Sequence, residues 1–264
     1  MSRKAFVTLL TKTSYLPGVL VLDHGLRAVE SKYPLVVMVT PTLGEDARAV
    51  LDKCSIEIAF GLDGFERVVL LDADMLIKRN MDKLMELPLK QDEIAAAHVC
   101  ACNPMKLVHY PQDWIPANCA HTAVEGPLGL PPAWTPDSPR PYGQLNSGTV
   151  VLNPSPGLGR AILCISDQDL LSAFFKGKWK PLPWYYNALK TLRVIHPQLW
   201  SDDEIRCLHY ILKDKPWEAR MPVVPGPYDE VHGWWWSDFD RMALALDSQS
   251  HNRVLSLVDT SKAN

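Results

Sequence analysis

No apolar run in this sequence approaches the roughly 20 consecutive residues that a bilayer-spanning helix needs. The opening stretch, MSRKAFVTLLTKTSY, also lacks the apolar core of a secretory signal. The expectation is therefore a cytoplasmic protein with no membrane span. An excess of one charge is missing as well. Lys and Arg number 27 against 30 Asp and Glu, a net charge of −3, which excludes a broad basic footprint for nucleic acid. There is no internal repeat. The six cysteines, Cys54, Cys100, Cys102, Cys119, Cys164 and Cys207, follow none of the usual zinc spacings. Cys100-Ala101-Cys102 is also tighter than a C-x-x-C redox pair, so reduced and mostly buried thiols are expected.

What is present suits an α/β fold. With 264 residues, 47% of them hydrophobic, the chain can bury a core without covalent staples. Ala5–Leu10 is a mainly apolar run, the pattern of a strand covered on both faces, and Leu35–Val39 and Arg67–Leu71 read as the second and third strands. Tyr15–Val29 and Asp46–Lys53 between them have helical spacing. A β-α-β-α-β order predicts a mainly parallel, Rossmann-like central sheet, with ligands bound beyond the carboxyl ends of its strands. A later strand is expected over Asn146–Leu152 and a helix over Asp169–Phe175. The whole chain, 1–264, reads as one domain with a proline-rich insertion at about 103–145 and an aromatic, irregular C-terminal segment at about 218–264. The insertion is placed to cover a site. The Trp234-Trp235-Trp236 run suits either stacking on sugar rings or packing against the domain.

The chemistry centres on Asp72-Ala73-Asp74, which follows the apolar strand VVLL. Just past a strand end the backbone can turn so that both carboxylates reach one hard cation, Mn²⁺ or Mg²⁺, which also takes phosphate oxygens. Two reactions use such a triplet. One is transfer from a metal-bound diphosphate. The other is phosphohydrolysis with the first aspartate as nucleophile, which Met75-Leu76 and the position of the triplet fit poorly. Far along the chain, His209 offers an imidazole for a metal and Lys215 a point charge for a phosphate.

These segments resemble, in order, those of glycosyltransferase family 8, the glycogenin and galactinol synthase family. Ala5–Leu9 followed by Tyr15 resembles its opening strand and uridine-stacking tyrosine; Leu70–Leu76 its metal motif; and Asn146-Ser147-Gly148 its N-S-G. Asp167-Gln168 resembles its D-Q pair, Leu182–Asn187 its L-P-x-x-Y-N, and His209–Trp217 its H-x-x-G-x-x-K-P-W. The resemblance implies a GT-A fold and a retaining transfer of glucose or galactose from a UDP-hexose donor. Asp72, Asp74 and His209 would bind Mn²⁺, with Mg²⁺ as the alternative ion. Thr8, Leu9, Tyr15, Asp72, Ala73, Asp74, Asn146, Ser147, Gly148, Leu212 and Lys215 would contact UDP-sugar. Asp167 and Gln168 would act at the reacting carbon, by same-face attack or by a covalent intermediate on Asp167. The acceptor, a sugar, polyol or protein, is not legible, and a homodimer is compatible with the reading.

Three departures qualify the resemblance. Leu212 stands where the family has a glycine that lets backbone approach the diphosphate. The stretch Ile56–Glu66 is short, with Phe60-Gly61-Leu62 resembling only the tail of a family helix, and the donor lysine of that helix has no counterpart. No tyrosine lies between Ala188 and Leu208, where glycogenin carries its self-glucosylated residue. The first two leave a catalytically degenerate UDP-sugar-binding protein as the alternative.

Overall fold

The computed structural model describes residues 3–154, 168–220 and 225–258. Its elements in chain order are β1 (Arg3–Leu10), α1 (Leu16–Ala28), β2 (Leu35–Val39), α2 (Glu45–Lys53), β3 (Glu57–Ala59), β4 (Phe65–Leu71), β5 (Met75–Ile77), β6 (Ile94–His98) and β7 (Leu145–Leu152). They continue with α3 (Gln168–Phe174), β8 (Trp179–Pro181), β9 (Ala188–Leu189), α4 (Leu192–Ile195), β10 (Cys207–His209), α5 (Asp229–Leu244) and α6 (Ser248–Leu255). Short 3-10 turns lie between several of them.

Among the described residues, a seven-stranded sheet runs β3-β2-β1-β4-β7-β6-β8, and a three-stranded sheet runs β5-β10-β9. In the large sheet β3, β2, β1 and β4 are mutually parallel, as are β6 and β8, while β7 is antiparallel to both β4 and β6. The sheet is thus mainly parallel, as expected, with one reversed strand. That reversal places the start of β7 at the edge where β1 and β4 end: Leu71 pairs with Thr149 and Thr8 pairs with Leu71. Asn146-Ser147-Gly148 is thereby delivered to Asp72 from the opposite chain direction.

The apolar strands behave as their sequence predicts. Leu35–Val39 is buried at every position, and α1 buries most of its length against the small sheet and α5. β6 was not anticipated. Its Ile-Ala-Ala-Ala-His sequence carries little β-branching, and only pairing on both edges makes it a strand.

Two expectations are overturned. Phe60-Gly61-Leu62 is no helix tail. Glu57–Ala59 before it is a strand parallel to β2, and Phe60 and Gly61 form a bend leading to β4. Ile56 and Ile58, on either side of the exposed Glu57, alternate as a half-buried edge strand requires. The C-terminal segment is not irregular either: Asp229–Leu244 is a 16-residue helix. Val231, Trp235, Phe239 and Met242 recur at helical spacing and are all buried.

The tryptophans pack. Trp235 stacks on Phe239 at 5.1 Å between ring centroids and meets Trp217 at 5.5 Å. Trp217 in turn meets Tyr15 edge-on at 5.3 Å. This aromatic column ties α5 to α1 and to the turn carrying Lys215. Trp235→Ala removes its centre and is expected to destabilise the protein by about 3–5 kcal/mol. Urea denaturation followed by far-UV circular dichroism measures the loss.

Candidate metal centre

The apolar β4 stops at Leu71, and the chain steps through Asp72-Ala73-Asp74 into β5 of the small sheet. Backbone hydrogen bonds fix the step on both sides. The Asp72 N–H donates to the Gly148 carbonyl at 3.0 Å, and the Tyr210 N–H donates to the Asp74 carbonyl at 2.9 Å. β5 pairs with β10 so that Met75 faces His209. The triplet also rests on α1, at a glycine: a Cβ at Gly18 would lie 2.3 Å from the Ala73 carbonyl oxygen. Past the end of the strand, in this turn, the two aspartates on either side of Ala73 converge on His209.

The His209 Nε2 lies 3.4 Å from Asp72 Oδ2 and 3.3 Å from Asp74 Oδ1. The ligand-type atoms of the three residues fall within 4.8 Å of one another. The orientation of the imidazole follows from a chain of hydrogen bonds that starts at a backbone group. The Gly148 N–H, which can only donate, is 3.0 Å from Asn146 Oδ1. Asn187 Nδ2 donates to the same oxygen at 2.7 Å. The Asn187 Oδ1 therefore faces His209 Nδ1, at 2.9 Å, as an acceptor. The imidazole proton belongs on Nδ1, which leaves the Nε2 lone pair toward the two aspartates. Space for the ring is made by a second glycine. A Cβ at Gly148 would lie 2.4 Å from the His209 ring.

The two carboxylates differ. Burial alone would raise the Asp74 carboxyl, but the Lys215 ammonium, by charge and hydrogen bond, holds it below the usual carboxylate range. The Lys215 Nζ contacts Asp74 directly and donates to the Tyr210 carbonyl at 2.7 Å. For Asp72, burial raises the carboxyl to about 6, reinforced by the charge of Asp74 and opposed by that of Lys215. Half of its side-chain surface (49%) opens to the cleft, so water moderates that rise without reversing it.

The turn that carries Lys215 is anchored from beneath. Lys190 is fully buried, and its Nζ donates to the carbonyls of Lys213 at 3.1 Å and Asp214 at 2.8 Å. Burial lowers its ammonium to about 8. Leu212 in this turn has φ +67°, the left-handed region that favours glycine, and its side chain is exposed. The leucine thus holds a backbone conformation that a glycine would adopt more readily.

The other candidates divide between two cavities and the aromatic column. Thr8, Leu9, Asp72, Ala73 and Ser147 line a cavity of about 200 Å³. The Thr8 hydroxyl is buried there with no partner among the described residues. Asn146 and Leu212 line a second cavity, of about 210 Å³, with Met105 and Trp114 of the proline-rich segment. Tyr15 is half-buried against Trp217. Asp167 lies outside the described residues, and of Gln168 only the backbone, at the start of α3, is described. Two residues absent from the sequence-based candidates belong here, Asn187 and Lys190. Asn187 ends the Leu182–Asn187 motif, which was the available signal; nothing local marks Lys190.

Comparisons with known proteins bear on the fold and on the class of protein. The family model "Glycosyl transferase family 8" matches residues 159–220. Galactinol synthase 1 of Solanum lycopersicum is 28% identical over 254 residues, covering 81% of this chain and 74% of that protein. Among solved structures, the galactosyltransferase LgtC in complex with donor and acceptor sugar analogues superposes with a TM-score of 0.61 at 13% identity, covering 94% of this chain and 99% of the other. The apo WbbM bifunctional glycosyltransferase gives 0.60 at 14% identity over 97% of this chain and 52% of that one, so this chain spans about half its length.

The fold is therefore GT-A, the α/β architecture of those glycosyltransferases. The chain is similar to glycosyltransferase family 8 over the residues that the family model matches, and to galactinol synthases over most of its length. That likeness favours a glycosyltransferase over the phosphohydrolase reading of Asp72-Ala73-Asp74. Among the described residues, no helix is long and apolar enough to cross a membrane.

Because the imidazole occupies the space of a missing side chain, Gly148→Ala is expected to displace His209 and cost about 1–3 kcal/mol. Gly233→Ala, on α5 with nothing within 4 Å of its Cβ, is expected to be neutral or to stabilise by up to about 1 kcal/mol. Urea denaturation of the two variants checks the contrast.

Proposed function

We propose that this glycosyltransferase is a metal-dependent, retaining hexosyltransferase that takes galactose or glucose from a UDP-hexose, acting as one GT-A domain over 1–264 in the cytoplasm. The observation that carries the reading is the convergence of Asp72, Asp74 and the bare Nε2 of His209. Two carboxylates and one imidazole suit Mn²⁺ better than Mg²⁺, which favours an all-oxygen shell. Bound there, the ion would supply positive charge to the leaving diphosphate.

The chain's own residues take the remaining roles. Lys215, already drawn to the site by Asp74, gives a second positive charge for the diphosphate. The unpartnered hydroxyl of Thr8 offers a hydrogen bond to the nucleotide, with Leu9 beside it. Tyr15, braced by Trp217, stacks on uracil. Asn146, Ser147 and Gly148 bound the hexose side, and Asp167 and Gln168 act at the reacting carbon. Leu212 passes the diphosphate by its backbone, at the φ a glycine would take. The likeness to galactinol synthases favours galactose as the donor sugar and a polyol as the acceptor.

Isothermal titration of the protein with UDP and Mn²⁺ tests the site. Binding is expected only with the metal present, and Asp74→Ala is expected to weaken it at least ~100-fold, the loss of one charged ligand. Absence of binding, or equal binding by the variant, contradicts the reading. Release of UDP from UDP-galactose or UDP-glucose separates an enzyme from a binding protein, and turnover is the expected result. Leu212→Gly offers a further check. A leucine in the left-handed region costs about 1–2 kcal/mol and glycine about 0.5–1 kcal/mol in backbone entropy, so the variant should be as stable or slightly more so. Its UDP affinity should be no weaker than that of the parent chain.

A further inference from the structure

Away from the cleft, the fold gathers groups that the spacing of the cysteines does not reveal. Cys100 and Cys102 follow β6, Cys119 follows the 3-10 turn Pro116–Asn118, and His196 caps α4. The three sulfurs surround the His196 Nε2, at 3.2 Å from Cys102 and 3.7 Å from both Cys100 and Cys119. All four ligand-type atoms lie within 4.8 Å of one another. Zinc held by Cys₃His has Zn–S near 2.3 Å and Zn–N near 2.0 Å, which for tetrahedral angles sets S···N at about 3.6 Å. The observed separations bracket that value. Cys102, Cys119 and His196 are buried and Cys100 is half-buried, among apolar neighbours that include Val99, Trp114 and Ile195.

We propose that Cys100, Cys102, Cys119 and His196 form a closed structural Zn²⁺ site that ties the proline-rich segment to β6 and α4. Four protein ligands leave no open position, so the ion has a structural rather than a catalytic place. Three sulfurs and one imidazole nitrogen select zinc over the hard ions that suit Asp72 and Asp74. On binding, the three thiols release their protons to solvent as three Zn–S bonds form, and the His196 Nε2 contributes its lone pair. No oxidant or reductant takes part. The site is one an isolated C-x-C could not announce, because its other two ligands arrive through tertiary structure.

The geometry also gives the tie a purpose. Residues 103–118 form no strand or α-helix, only one 3-10 turn at their end. A stretch of that length is poorly ordered by its own backbone, and a clip across its ends supplies the order. The clipped segment provides Met105 and Trp114 to the cavity that Asn146 and Leu212 also line. The zinc site would thus hold one wall of that cavity.

The test is metal analysis of the full chain, purified with a reductant and washed with EDTA. Elemental analysis should find roughly one tightly held zinc per chain, as a closed four-ligand site holds it. A mercurial that titrates thiols should release it. Exchange with Co²⁺ should produce sulfur-to-cobalt charge-transfer absorption, lost in Cys102→Ser. Asp74→Ala should keep its zinc and the cobalt absorption. A wild-type chain that carries no zinc and develops no such absorption overturns the proposal. So does zinc that persists in Cys102→Ser but leaves in Asp74→Ala, and so does an intact mass two hydrogens short without reductant, the sign of a disulfide. If the cysteine variant does not fold, the zinc content and cobalt spectrum of the wild-type chain decide the matter alone.

Discussion

The backbone N–H of Gly148 sets the polarity of the candidate site. It can only donate, so Asn146 must accept, Asn187 must turn its amide nitrogen toward Asn146, and His209 must present a protonated Nδ1 to Asn187. Each step has one consistent direction, and the last leaves a nitrogen lone pair between two carboxylates. Side-chain amides are symmetric enough to be turned either way by weak forces. A backbone donor at the head of the line removes that freedom without any charge, and it does so inside the protein, where an unsatisfied polar group is costly.

The same site is built by omission as much as by contact. Asp72-Ala73-Asp74 can approach α1 because Gly18 has no side chain, and the imidazole can approach β7 because Gly148 has none. Around this close packing, the aromatic column of Tyr15, Trp217, Trp235 and Phe239 and the buried ammonium of Lys190 hold the turn that carries Lys215. The resulting charge arrangement is asymmetric. Asp74 is neutralised by a lysine and stays ionised, whereas Asp72 looks into the cleft with a raised carboxyl. The exposed partner has the greater gain from meeting a cation.

Much of this could be read from the chain. The three parallel strands were mainly apolar runs, α1 and α2 had helical spacing, and the D-x-D, N-S-G and His–Lys segments stood in a recognisable order. What escaped reading did so for physical reasons. β6 is alanine-rich and depends on its two neighbours for its conformation. α5 hid its helical period behind three adjacent tryptophans, of which Trp235 and Trp236 face inward and Trp234 is only partly covered. β3 was too short to separate from a helix end. Lys190 looks like a surface lysine until the carbonyls of Lys213 and Asp214 are seen above it. The gathering of Cys119 and His196 beside Cys100 and Cys102 is a property of the folded chain, and linear spacing carries no trace of it.

The fit of an imidazole over a bare Cα has a consequence for how such chains can vary. Positions 148 and 209 are one unit of variation, although 60 residues separate them. Gly148 has no unusual φ, so backbone freedom does not hold glycine there; the volume of the opposite ring does. A chain that gives up the histidine releases the glycine, and one that keeps the histidine must keep the glycine with it. A substitution at Gly148 should therefore be found only where His209 is replaced as well.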